Sequence, residues 1–148
     1  MSRLILVMRL MHFSDLSNEC QVAAGSKIRA VGWLSGEVAF ATGSTSPEAF
    51  SRLKLLIEAP FQPVAAGGSH ECDLCQFEGD RGSANLFVPG AGCLYVCPEL
   101  IVHYISAHRY KPPAEFLDAV LACPDADSMP YKKAFLANGG RELLRATS

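Results

Sequence analysis

Charged residues are scarce in this chain, and the charges it has nearly balance. They make up 19% of 148 residues, the net charge is −2 and the pI is about 6.1. A chain without excess positive charge has no overall attraction for phosphates, so nucleic-acid binding would need a local basic patch. The only weak candidate, Lys132, Lys133, Arg141 and Arg145, is interleaved with acids and is typical of a solvated surface.

Long hydrophobic runs are also lacking. The apolar stretch from Leu4 to Met8 is followed by Arg9 and is too short for a signal-peptide core or a membrane span. No membrane association is therefore expected. Met8 and Met11 are further candidate starts, so we expect residues 1–10 to be an extension outside the domain and residues 11–148 to form a single domain.

Several catalytic motifs are missing as well. The chain contains no H-E-x-x-H, no deaminase pattern of H-x-E with P-C-x-x-C, no G-x-S-x-G and no glycine-rich phosphate loop. It has no internal repeats. The sequence therefore indicates neither a substrate nor a reaction.

Two β-hairpins are predicted by the residue pattern. Period-two alternation from Lys27 to Leu34, a turn and a short return strand at 38–40 favour the first. Two apolar runs on either side of Pro89 to Gly92 favour the second, with Asn85 to Val88 paired to Cys93 to Val96.

About four helices are predicted, which makes the fold class α+β. Ser46 as an N-cap and Pro47 at the first position begin the first helix. Prolines and glycines delimit the others. The expected helices run over 47–58, from Pro98 to the K-P-P after Tyr110, from Pro113 to before Pro124, and over 130–137, with a final turn at 141–145.

A thiolate pair and an imidazole pair form the most informative pattern. Cys72 and Cys75 have the C-x-x-C spacing, and His103 and His108 lie in the second predicted helix. Together they predict a closed, structural Zn2+ site in a treble-clef-like or ββα-like centre with an enlarged insert. The histidines are ~140° apart on a regular helix, so their convergence requires the helix to tighten or unwind near its end.

Two further residues are reserve candidates for the metal. His70 lies two residues before Cys72 and could replace His108 or support the site as a hydrogen-bond donor. Cys97 follows Cys93 at a spacing that faces one side of a strand, so it could reach the metal, although small buried cysteines are common. The C-x-x-C beside histidines favours a metal over disulfides and hence the reduced cytoplasm.

Three classes of function remain open. The first is a zinc-stabilised interaction module with a protein partner. The second is a small metal- or thiol-dependent enzyme of hydrolase type, in which His70, Glu71 or Cys97 supplies acid-base or nucleophilic chemistry. The third is zinc-finger-like nucleic-acid binding, for which the helix carrying His103 would have to present Arg109 and Lys111 as a basic face.

Four segments resemble an uncharacterised bacterial family of small domains of unknown function. They are F-S-D-L-S at 13–17, A-V-G-W-L at 30–34, H-E-C-D-L-C at 70–75 and P-E-L-I-V-H-Y-I-S-A-H-R-Y-K-P-P-A-E-F at 98–116. The resemblance extends from Phe13 to about Val120. It implies one domain, agrees with a start at Met11 and supports the metal site, and it adds no reaction.

Overall fold

A mixed sheet and a small two-stranded sheet form the β part of the fold. The computed structural model describes residues 12–63, 70–75 and 81–147. The expected N-terminal extension, 1–10, lies outside these ranges. The described strands are β1 (Ile28–Ala30), β2 (His70–Glu71), β3 (Arg81–Gly82), β4 (Asn85–Pro89) and β5 (Leu94–Pro98). The mixed sheet has the order β1-β5-β4, and β2 pairs with β3.

Helices pack on the mixed sheet and complete the α+β class that the sequence predicts. α1, α3 and α4 all pack on β4, and α1 also contacts α2 and α3. In the described ranges no helix combines the length and the apolar character needed to cross a membrane. The helices are α1 (Pro47–Glu58), α2 (Ile101–His108), α3 (Ala114–Ala122), α4 (Met129–Phe135) and α5 (Arg141–Thr147), with a π-helical turn at Leu136–Gly140 between the last two.

The predicted hairpin around Pro89 to Gly92 is confirmed, and its second strand is the centre of the sheet. β4 and β5 are antiparallel, with Asn85 opposite Pro98. All five residues of β5 are buried. The prediction that Pro98 begins a helix is wrong, because β5 extends through Pro98 and the N–H of Glu99 still donates to the carbonyl of Ala84 at 2.9 Å.

The predicted hairpin over residues 27–40 is also wrong. β1 instead pairs in parallel with β5, and the described residues 38–40 form no strand. Gly32 has φ of +78°, which turns the chain out of the extended conformation directly after β1. The N–H of Val31 and the indole Nε1 of Trp33 then both donate to the carbonyl of Val96, so this segment is fixed to β5 and not to a return strand.

α1 has the predicted bounds, and its local chemistry explains them. The hydroxyl of Ser46 accepts the N–H of Ala49 at 3.2 Å, and Pro47 occupies the first turn. Leu53 and Leu56 lie on the buried face, and each contributes about 2 kcal/mol by leaving water.

A tyrosine–carboxylate contact joins the chain after α2 to the start of the domain. The hydroxyl of Tyr110 donates to Oδ2 of Asp15 at 2.8 Å, and Oδ1 of Asp15 accepts the N–H of Gly32 at 3.0 Å. Tyr110 is fully buried and also forms an antiparallel bridge with Thr42. The end of α2 is therefore held against two earlier parts of the chain.

Candidate metal centre

The cysteine knuckle, residues 72–75, follows β2, and carboxylates hold it and the chain after β3 in place. β2 and β3 are antiparallel, with Glu71 opposite Arg81. The carboxylate of Asp73 accepts the N–H of Gly36 at 3.1 Å, which ties the knuckle to the loop after Trp33. Glu99 accepts the N–H groups of Ser83 and Ala84, the latter at 3.0 Å, and so fixes the chain after β3 next to the start of α2.

The last turn of α2 is wider than a regular α-helical turn. Arg109 is left-handed, with φ of 56° and ψ of 25°. The carbonyl of Tyr104 accepts the N–H groups of both Arg109 and Tyr110, five and six residues further along the chain. This wider turn is the irregular helix end that the convergence of His103 and His108 requires. The centroids of the two imidazole rings are 5.1 Å apart, and the ring planes meet at 78°.

Four donor atoms meet between the knuckle and α2. Sγ of Cys72 lies 3.4 Å from Nε2 of His108, and Sγ of Cys75 lies 3.3 Å from Nε2 of His103 and 3.4 Å from Nε2 of His108. All four donor atoms lie within 4.8 Å of one another. The structure thus brings together the four residues that the sequence selects, in an arrangement that could hold a metal ion.

Burial shifts the pKa values of two residues of this cluster. Cys72 is buried, and desolvation is the main cause that raises its pKa to about 11. Desolvation, followed by the charge of His103, lowers the pKa of His108. Desolvation therefore favours the uncharged forms of the Cys72 thiol and the His108 imidazole. A metal cation would reverse the preference of the thiol, because a coordinating sulfur gives up its proton.

The reserve candidates lie outside the cluster or outside the described side chains. Cys97 is fully buried in β5 opposite Leu86, and burial raises the pKa of its thiol. It does not belong to the group of four. The backbone of His70 pairs with Gly82, whereas its side chain lies outside the described part of the chain.

The remaining cysteines are free thiols in other surroundings. Cys20, Cys93 and Cys123 are buried, and none forms a disulfide. No sequence pattern marks Asp73 and Glu99 as residues that hold the knuckle and the chain after β3 in place. Their partners lie 37 and 15–16 residues away in the chain, so no local spacing signals these contacts.

The fold and the cluster define a class: a mixed α+β domain with a Cys2His2 group that could bind a metal. The chain belongs to the family described as domain of unknown function DUF7919, which matches residues 11–121. This confirms the resemblance to an uncharacterised family of small domains. No curated protein and no solved structure matches the chain.

Proposed function

We propose that Cys72, Cys75, His103 and His108 bind one zinc ion and that the domain is a zinc-stabilised interaction module. The observation that carries this proposal is the meeting of two sulfur and two nitrogen atoms within 4.8 Å. The donors come from two segments that are distant in sequence, so a shared ion would cross-link the knuckle to α2.

The donor distances support a tetrahedral ion. With zinc–sulfur and zinc–nitrogen bonds of about 2.3 and 2.0–2.1 Å, two ligands on a tetrahedron are ~3.6 Å apart. Three of the sulfur–nitrogen distances are 3.3–3.4 Å, within a few tenths of an ångström of this value, and all four donor atoms lie within 4.8 Å of one another. A tetrahedral S2N2 set is typical of zinc among the metals available to proteins.

The number of protein ligands supports a structural role. A catalytic zinc keeps one position for water or substrate, whereas four protein ligands fill a tetrahedron. Cys97 also lacks the accessibility that a nucleophile needs, since it is fully buried and its pKa is raised. These observations favour a folding element over a hydrolase site.

The placement of the ligands supports a ββα-like or treble-clef-like centre. The knuckle lies between the antiparallel strands β2 and β3. His103 is the third residue of α2 and lies in its first turn, whereas His108 is its last residue. This is the ligand order of a ββα finger, with the β4–β5 hairpin inserted between its strands and its helix.

Because a closed metal site binds no partner itself, the module acts through its outer surface. A zinc ion with four protein ligands stabilises the fold but offers no position to a partner or substrate. We assign recognition of a protein partner to the surface that the cross-linked knuckle and α2 support, in the bacterial cytoplasm.

Metal content and zinc-edge X-ray absorption on the purified chain test the proposal. The expected result is one zinc per chain with two sulfur and two nitrogen neighbours. Cys72→Ser, Cys75→Ser, His103→Ala and His108→Ala should each lower the metal content, whereas Cys123→Ala should not. Cys123 is the matched control, because it is buried like Cys72 and lies outside the group of four.

Different results would contradict different parts of the proposal. An oxygen neighbour in place of a nitrogen would indicate an open, catalytic type of site. Loss of metal in His70→Ala together with its retention in His108→Ala would show that His70, and not His108, is the fourth ligand. The absence of any bound transition metal after purification without chelators would refute the metal centre itself.

A further inference from the structure

A cleft lies at the turn of the β4–β5 hairpin, at the opposite end of β5 from the metal centre. Its volume is about 690 Å³, within the usual range of small-molecule sites. One wall is the hairpin turn, Pro89 to Cys93, and the ring of Tyr95 lines it beside the turn. The opposite wall is one face of α3, where Glu115, Asp118, Ala119 and Ala122 follow the helical repeat.

Small residues keep this cleft open. Ala119 and Ala122 add little volume on the α3 wall, and the hairpin turn contains Gly90, Ala91 and Gly92. A Cβ at Gly90 would lie 2.6 Å from the ring of Tyr95. Any larger residue there would push this ring and change the shape of the cleft.

The cleft contains a positive charge with unused donors. Arg29 donates from Nη1 to the carbonyls of Ser26 and Ile28, at 2.7 and 2.9 Å. These bonds fix the orientation of the guanidinium of Arg29, which lines the cleft, and within the described ranges Nη2 and Nε donate to no other group. The free edge of a guanidinium matches the two oxygens of a carboxylate.

The α3 wall contains negative charge with unused acceptors. Oε2 of Glu115 accepts the hydroxyl of Tyr95 at 2.6 Å, which orients the carboxylate and leaves Oε1 available. Asp118 is exposed and forms no hydrogen bond within the described ranges. The ion pairs Lys27–Glu142 and Arg52–Asp125 include none of the charged groups of the cleft.

We propose that this cleft binds a small zwitterion of the amino-acid or short-peptide class. The carboxylate of the ligand pairs with Arg29, and its ammonium group lies between Glu115 and Asp118. The small apolar residues of the hairpin turn and α3 contact the remainder of the ligand. The site uses none of the four proposed metal ligands, so it is independent of the zinc proposal.

Titration of the full-length, isotope-labelled chain with glycine, dialanine and trialanine, followed by NMR, tests this proposal. At least one of these probes should shift the amide signals of Gly90 and Gly92 in a saturable way at millimolar concentration. For the probe that binds best, N-acetylation and C-amidation each remove one charge and should each weaken binding by about two- to fivefold.

Variants of the cleft assign each charge of the probe to one wall. Arg29→Gln should weaken the zwitterion about two- to fivefold but leave the C-amidated form unchanged, and Arg29→Lys should restore part of the loss. Asp118→Asn should weaken the zwitterion but leave the N-acetylated form unchanged. Asp127→Asn and Arg141→Gln, which remove exposed charges outside the cleft, should bind like the unmodified chain.

Two outcomes would overturn the proposal. One is the absence of saturable shifts at the hairpin turn with all three probes. The other is binding that does not change when the charges of the probe, Arg29 or Asp118 are removed. Because the chain carries its proposed metal throughout, neither outcome bears on the zinc centre.

Discussion

Replacement of Cys75 by serine is the sharpest single test of the metal cross-link. The sulfur of Cys75 contacts both imidazoles, at 3.3 and 3.4 Å, so the change affects the centre of the cluster. A serine hydroxyl is not ionised near neutral pH and is a poor ligand. We expect zinc affinity to fall by at least ~1,000-fold, since even loss of a supporting residue costs 10–100-fold.

The expected loss of stability follows from linkage. Each tenfold loss of metal affinity removes about 1.4 kcal/mol from the free energy of unfolding while zinc saturates the normal chain, so a 1,000-fold loss removes ~4 kcal/mol. For a domain of this size each kcal/mol corresponds to about 2–4 °C, so the melting temperature should fall by roughly 8–16 °C.

The assay compares thermal unfolding of the normal chain and the Cys75→Ser variant, with and without a strong chelator. In excess chelator the two melting curves should nearly coincide, because neither protein then holds the ion. Cys123→Ala should show the full chelator effect of the normal chain. A difference between Cys75→Ser and the normal chain that persists in chelator would refute the argument and assign the effect to packing.

Three more changes test the surrounding fold. Tyr110→Phe removes the hydroxyl bonded to Asp15 and should lower the free energy of unfolding by ~1.5–3 kcal/mol in urea titrations. Gly32→Ala should cost ~2–3 kcal/mol in the same assay, because φ is +78° and a Cβ would lie 3.0 Å from Ile101. Burial raises the pKa of Cys123 from 9.0 to about 11, so the folded state keeps this proton longer and stability should fall as pH rises between these values. Across this pH range the fall in the free energy of unfolding should be smaller by ~2–3 kcal/mol in Cys123→Ala than in the normal chain.

Matched variants separate the causes in these tests. Gly92→Ala introduces a similar strain at φ of +77°, but its Cβ meets no atom within 4 Å, so it should cost less than Gly32→Ala. Tyr131→Phe removes a hydrogen bond to a neutral carbonyl, that of Phe87, and should cost only about 0.5–1.5 kcal/mol. Equal costs within either pair would contradict the reasoning, as would identical alkaline profiles with and without Cys123.

Local signals were sufficient where the determining residues are neighbours in the chain. The hydroxyl of Ser46 and the ring of Pro47 fix the start of α1, and the Pro89–Gly92 turn fixes the β4–β5 hairpin. The ligand cluster was also predictable, because the C-x-x-C spacing and two nearby histidines are characteristic of metal sites.

Features that depend on contacts between distant segments of the chain could not be predicted from the sequence. β1 has an alternating pattern, but nothing in that pattern indicates whether its partner is adjacent or, as observed, 66 residues further along the chain. The wide last turn of α2 depends on a left-handed Arg109, and arginine gives no sequence signal for that conformation. Bonds from residues 41–43 to residues 109–111 hold this turn, and only the folded chain brings these segments together.

The position of β5 has a consequence for the order in which the molecule is made. β1 and β4 both precede β5 in the chain, and in the mixed sheet each pairs with β5 and not with the other. During synthesis neither strand can enter this sheet until its partner residues in β5 have left the ribosome. A nascent chain that stops before Leu94 therefore has no mixed sheet and exposes the apolar residues of β4, and the two histidines of the metal cluster emerge only a few residues after the sheet can close.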